Sequence, residues 1–304
     1  MYSFSTCWNS HRHTDGRAML REIRDLGFEW AELSHGIRVS LLPGIFEAVD
    51  GGEIKISSLH NFCPLPMGVN HPAPNLYLFS SLDSRERENA FKHSVKTIDT
   101  AARLKAEAVV LHLGAIDMND YTGKLLEMAR NEQRDSPKYS DLCGKVMEKW
   151  EKKKERHVQF VNEMLERLAA RAGERGVKLG IENRQALEEL PLDSDIEPLL
   201  RRFNNPGIGY WHDCGHAQIK ENLGFINHRM HLESLAPLLL GFHIHDVVFP
   251  GHDHRPPGAG MIDFAALKPM VQPGHIKVFE LSPSLSLEEV ARGVAHIHQV
   301  WGAP

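Results

Sequence analysis

Residues 177–182, Val-Lys-Leu-Gly-Ile-Glu, form a short apolar run that ends on a carboxylate, and residues 207–213, Gly-Ile-Gly-Tyr-Trp-His-Asp, repeat the arrangement. Similar strand-like runs lie near 2–7, 28–33, 54–60, 107–112, 239–245 and 276–281. Amphipathic segments of helical period separate them: Leu20, Ile23 and Leu26 mark the first, and Phe91, Val95, Ile98 and Ala102 a later one. Phe160, Met164 and Leu168 mark another, and Leu287, Val290, Val294 and Ile297 the last. Strands alternating with helices in this way build a parallel α/β sheet. Eight such units close most simply into a (β/α)8 TIM barrel. An open doubly wound sheet is the competing architecture, but no GxGxxG follows the first strand. No linker-like stretch interrupts the alternation, so residues 1–304 are expected to form a single domain. The longest irregularity is 114–157, a βα excursion that includes the charged run EKKKERH (Glu151–His157). A solvated helix face explains that run, and an excursion on this side of a barrel can also act as a lid.

Bulk properties narrow the partners. The 304 residues are 42% hydrophobic, and 35 basic against 40 acidic side chains leave a formal net charge of −5. That balance gives no electrostatic footprint for nonspecific binding to nucleic acid or a membrane surface. A metal site can still supply the positive charge a phosphate needs, so nucleic acid is disfavoured rather than ruled out. The four cysteines (Cys7, Cys63, Cys143, Cys214) are scattered with no CxxC pair, which fits a reducing cytoplasm. No apolar run reaches membrane-spanning length, and MYSFSTCWNSHRH lacks a signal-peptide layout. The 19 histidines are the unusual component, because imidazole is the commonest metal ligand.

Their positions are informative. The third run ends at His60, the fourth at His112, the fifth at Glu182 and the sixth at Asp213; the seventh carries His243 and His245, the eighth ends at Glu280, and the second contains Glu32. In a barrel the C-terminal strand ends converge on one mouth, where active sites form. A lone histidine or glutamate there is ordinarily a hydrogen-bonded scaffold residue. Several carboxylates and imidazoles in one concave site, however, repel or desolvate one another unless a cation joins them. Such a mixed set suits Mn²⁺, Mg²⁺, Co²⁺ or Zn²⁺. Weaker candidates are His11 and His13 in the loop after the first strand, and Trp8, Phe62 and Trp211, which would stack on a sugar ring if they faced the mouth. His228, His231, His296 and His298 fall on expected helices and read as structural. Gly258 and Gly260 suit a tight turn that brings backbone amides near a ligand.

The order Glu182 in GIENR, Asp213-Cys-Gly-His216, His243-Ile-His-Asp246, the block from His254 to Phe264, and Glu280 resembles the xylose-isomerase-like TIM-barrel superfamily, with its sugar-phosphate isomerases and epimerases, ketose 3-epimerases, inosose dehydratases and endonuclease IV. The resemblance spans nearly the whole chain in strand order. It implies that Glu182, Asp213, His243 and Glu280 hold one divalent ion, manganese being favoured over zinc, cobalt or magnesium. It also implies that Glu182 and Glu280 exchange a substrate proton through an enediolate, and that His216 contacts the substrate, with His60, His112, His245 and His254 as further polar contacts. The implied activity is a metal-dependent isomerase or epimerase of a sugar or sugar-like polyhydroxy carbonyl compound. A dehydratase of a related polyol ketone shares the first step. The same order also resembles endonuclease IV, a multi-zinc phosphodiesterase, in which His60, His112, His216 and His254 would be additional zinc ligands. There the aspartate expected two residues before His254 is replaced by His252, with Asp253 beside it. A non-catalytic barrel that binds a metal or sugar gives such a complete carboxylate set no purpose. A homo-oligomer is compatible with all of these.

Overall fold

A computed structural model describes residues 1–304. Eight parallel strands form a closed barrel: β1 (Tyr2–Ser5), β2 (Trp30–Leu33), β3 (Lys55–His60), β4 (Ala108–Leu111), β5 (Lys178–Glu182), β6 (Ile208–Asp213), β7 (Leu239–Ile244) and β10 (Ile276–Phe279). An antiparallel ribbon, β8 (Asp246–Val248) and β9 (His252–Arg255), leaves the end of β7 before the chain reaches β10. Around the barrel the order is β1-β10-β7-β6-β5-β4-β3-β2, and β1 closes it by pairing with both β10 and β2. Each strand falls within the run expected from the sequence, trimmed by a residue or two at the ends.

The helices are α1 (Gly16–Asp25), α2 (Leu42–Asp50), α3 (Ser84–Arg103), α4 (Thr122–Arg130), α5 (Pro137–Arg175), α6 (Asp193–Phe203), α7 (Cys214–Leu223), α8 (His228–Leu235), α9 (Phe264–Leu267) and α10 (Leu287–Trp301). Local chemistry sets several boundaries. Ser136 caps α5 through Tyr139 N, Pro137 occupies its first turn, and Gly176 ends it at φ +66, a left-handed conformation that glycine adopts without strain. Ser286 and Glu289 form a reciprocal capping box at α10. The 114–157 excursion is mostly helical. It contains α4 and the first half of the 39-residue α5, and it buries Leu125, Tyr139, Val146 and Trp150. The EKKKERH run is a helix face as expected, except that its last residue, His157, turns inward and bonds Ser80 O through Nδ1 at 2.7 Å.

Inside the barrel, a layer of Ala108, Val110, Trp211, Ile276 and Val278 forms a floor beneath the mouth. The Trp211 indole fits there because its neighbours on β5 and β7 lack side chains. A Cβ on Gly180 would stand 2.9 Å from Trp211 Cε3, and one on Gly241 would stand 2.7 Å from Cζ3. Trp211 is thus a plug under the site, with no free face for a sugar. Trp8 and Phe62 are equally enclosed: Trp8 Nε1 donates to Leu285 O at 3.1 Å, and Phe62 packs edge-on against Tyr77. No helix is long and apolar enough to cross a membrane.

Candidate active site

Parallel register delivers the strand-end residues to one level. Asp213 on β6 is the register partner of His243 on β7, and Val278 and Phe279 on β10 pair with His243 and Ile244. One donor atom from each of Glu182, Asp213, His243 and Glu280 lies within 4.8 Å of all the others, and all four residues are buried. His243 Nδ1 stands 2.7 Å from Glu182 Oε1, 3.2 Å from Glu280 Oε2 and 3.8 Å from Asp213 Oδ2.

Glu32 supplies what the other side of that ring needs. Both of its carboxylate oxygens lie 3.2 Å from His243 Nε2, and Ser58 Oγ donates to Oε2 at 2.8 Å. Glu32 and His243 are both 0% exposed, so water cannot take over either role. A proton fixed on Nε2 by Glu32 turns Nδ1 toward the three other carboxylates.

The electrostatics call for a cation. Burial pushes the His243 imidazole down, yet Glu280, Glu32 and Glu182 around it override that and hold it well above its ordinary range. Burial opposes ionisation of Glu182, but His243 and His112 hold its carboxyl well below the usual range. Asp213 is lowered in the same way, against burial, by His216 and His245. Four buried carboxylates around one imidazole carry more negative charge than a low-dielectric site tolerates, and a divalent ion bound by oxygen and nitrogen satisfies it. The donor set therefore fits such an ion.

The flanking histidines divide into two groups. On one side, His60 Nε2 is 3.1 Å from His112 Nε2 and 3.5 Å from Glu182 Oε2, while His112 Nε2 is 2.6 Å from the same oxygen. On the other side, His245 uses both nitrogens: Nδ1 accepts from His254 N at 3.0 Å, so Nε2–H donates to Asp213 Oδ2 at 3.0 Å. His245 thus braces Asp213 from a fully buried position. His254, with φ +53, stacks on His245 at 4.3 Å, and its Nδ1 lies 3.3 Å from Asp253. The first turn of α7 places His216, because Asp213 is also the cap of that helix and accepts from His216 N at 2.6 Å. His216 Nδ1 donates to Asn183 O at 2.9 Å, which leaves its Nε2 lone pair unused.

Two expectations about the rim change. The amides of Gly258 and Gly260 both donate to Asp246 Oδ2 at 2.9 Å, and Val247 N and Ile262 N donate to Oδ1. This turn therefore spends its amides on a buried carboxylate that ties down the β8–β9 ribbon, and offers none to a ligand. His13 is held by Glu22 at 2.7 Å, and His11 is exposed. The sequence reading missed three residues. His35 stacks edge-on against His60 at 4.8 Å with its Nδ1 buried and unpartnered. Arg184, 4% exposed, bonds His112, Glu182 and Glu189, and Asn75 joins His112 to Glu189. All three lie in loops beyond a strand end, and only the Glu-Asn-Arg and Glu-Leu-Ser-His spacings hinted at the first two. A cavity of about 850 Å³ lies away from this site between α5 and α6.

Residues 20–281 match the Xylose isomerase-like TIM barrel family, and the chain belongs to that family. Among solved structures, it resembles a D-tagatose 3-epimerase-like protein at 17% identity and TM-score 0.69, covering 98% of this chain and 96% of that one. It resembles 3-keto-D-glucoside 4-epimerase from E. coli at 15% identity and TM-score 0.69, with 98% of each chain covered. A putative xylose isomerase from Rhodospirillum rubrum gives 16% identity and TM-score 0.71, covering 100% and 99%. At such identities the likeness is one of fold. No curated protein sequence matches the chain.

Proposed function

We propose that the chain is a metal-dependent isomerase or epimerase of a sugar or sugar-like polyhydroxy carbonyl compound, with dehydration of a related polyol ketone as a variant of the same first step. The observation that carries this reading is the meeting of Glu182 and Glu280, from opposite flanks of β6 and β7, at His243 Nδ1, 2.7 and 3.2 Å away. Glu182, Asp213, His243 and Glu280 would hold one divalent ion, with manganese suited to this carboxylate-rich set. When bound, the ion supplies Lewis-acid polarisation of a carbonyl and so acidifies the adjacent C–H. One glutamate then takes that proton and the other returns it, and His243 and His112 favour the ionised form of Glu182. His216 accepts a hydrogen bond from a substrate hydroxyl through its free Nε2. His60, His112 and His254 line the same mouth as further polar contacts, while His245 acts through Asp213. The fold shared with proteins named as sugar epimerases agrees with this assignment. The four free cysteines suit a reducing cytoplasm.

The test is exchange of a substrate C–H with deuterated water across a panel of ketoses, with and without manganese. Exchange should require the ion, and Glu182→Gln or Glu280→Gln should lower it by about 10²–10⁴-fold without unfolding the chain. The His60–His112–Glu182 group favours a second reading, a multi-zinc phosphodiesterase. Two or three tightly held zinc ions, with phosphodiester cleavage and no C–H exchange on any sugar, would replace the first reading with the second.

A further inference from the structure

We infer that Arg184 is the second cation of this site: its guanidinium takes the place where His60, His112 and Glu182 would hold a second metal ion, and it limits the chain to one. The inference rests on Glu182, Asp213, His243 and Glu280 being the ligands of that one ion.

The three residues are oriented as ligands. His60 Nδ1–H donates to Asn61 O at 2.9 Å, so its Nε2 is the nitrogen turned toward Glu182. His112 Nδ1 faces Asn75 Oδ1 at 2.9 Å, and the orientation of that amide is fixed because Asn75 Nδ2 donates to Glu189 Oε1 at 3.2 Å. His112 Nδ1 therefore carries the hydrogen, and its Nε2 presents a lone pair 2.6 Å from Glu182 Oε2. A lone pair and a carboxylate oxygen this close in a buried place require positive charge between or beside them.

The chain provides it. Arg184 NH1 donates to His112 Nε2 at 2.5 Å and to Glu182 Oε2 at 3.1 Å, two of the three atoms an ion would need. The far side of the guanidinium is anchored, with Nε and NH2 donating to Glu189 Oε1 at 3.2 and 3.0 Å. Glu189 is itself braced by Ala186 N at 3.2 Å as well as by Asn75. An ion on His112 Nε2 would sit about 2.0–2.1 Å away, in the space taken by the NH1 hydrogen. Unlike lysine or histidine, arginine cannot shed its proton to admit an ion. Nor does a guanidinium turn water into hydroxide at neutral pH as a metal does, so this position contributes a fixed donor and no nucleophile. That chemistry suits proton transfer at a carbonyl better than hydrolysis of a phosphodiester.

The experiment is elemental analysis of protein dialysed against excess zinc and then against buffer, with folding followed by circular dichroism. Wild type should retain about one ion per chain. Arg184→Met removes the charge but leaves Glu189 unpaired, so Arg184→Met/Glu189→Gln is measured beside it. Either should retain about two ions, and adding His60→Ala should return the count to about one. Two ions on wild type, or a folded Met/Gln variant that stays at one, would overturn the inference. The underlying ligand reading fails separately: the single wild-type ion would then survive His243→Ala and be lost with His60→Ala.

Discussion

Among single residues, Glu32 shows how much of the site depends on a group outside the proposed ligand set. Its carboxylate holds His243 through Nε2, so the strength of Nδ1 as a proposed ligand would be set from behind. Glu32→Gln keeps the volume but weakens that acceptor, and affinity for the ion should fall by about 10–100-fold in calorimetric titration. An unchanged affinity would show that His243 is oriented by packing alone. The residues legible from the sequence were those that end strands, because barrel geometry fixes where a strand end points: Glu182, Asp213, His243 and Glu280 converge as the strand order implies. Glu32 was visible only as one more strand carboxylate, since its partner stands 211 residues away. Arg184 and His35 were no more than hinted at by their spacing from Glu182 and Glu32, because the path of a loop follows from what it packs against.

At the level of elements, β6, α7 and α8 share a buried relay on the outer side of the barrel wall. Tyr210 Oη lies 2.7 Å from His212 Nδ1 and 3.2 Å from His231 Nε2, His212 Nε2 is 2.9 Å from His228 Nε2, and His228 Nδ1 reaches Gln218 Oε1 at 3.2 Å. This chain is satisfied by neutral imidazoles. Burial, then the neighbouring His231, pushes His228 down to about 3, and His212 is likewise well below its ordinary range. The unfolded chain binds these protons near pH 6.5 and the folded chain does not. The contribution to stability is thus complete above that pH and is lost as pH falls toward 3. His228 alone should account for about 2 kcal/mol lost by pH 5. Urea midpoints at pH 7 and pH 5 should therefore differ less in His228→Asn than in wild type; an equal difference would mean the imidazole is charged when folded. That His228 and His231 lie on a helix followed from the sequence, but their joining to a strand tyrosine did not, because helix-to-sheet register is set by packing. The same limit applies to α5, whose first half read as an irregular excursion but packs on α4 and bonds the end of α7 from Tyr139 Oη to Leu223 O at 2.9 Å.

The whole molecule should behave as one cooperative unit. A single cluster of apolar side chains runs from Tyr2 to Ile297 through every barrel strand. Limited proteolysis should accordingly give no pair of stable halves, and with 114–157 folded into α4 and α5, trypsin should be slow even at the lysines of α5. Two persistent fragments would contradict this. The architecture was legible because eight alternations of period leave few ways to close a sheet. The seam between β1 and β10 carries a further consequence for how the chain acquires its chemistry. Ser3 pairs with Val278 across that seam, and Glu280 lies just past the end of β10. During vectorial synthesis the four candidate ligands emerge in turn at similar spacings with Glu280 last, and the first strand must wait for the strand that precedes that residue. Ion capture would then mark barrel closure. In refolding, a bound-ion signal should trail the helical signal and coincide with the final, sequence-distant pairing step.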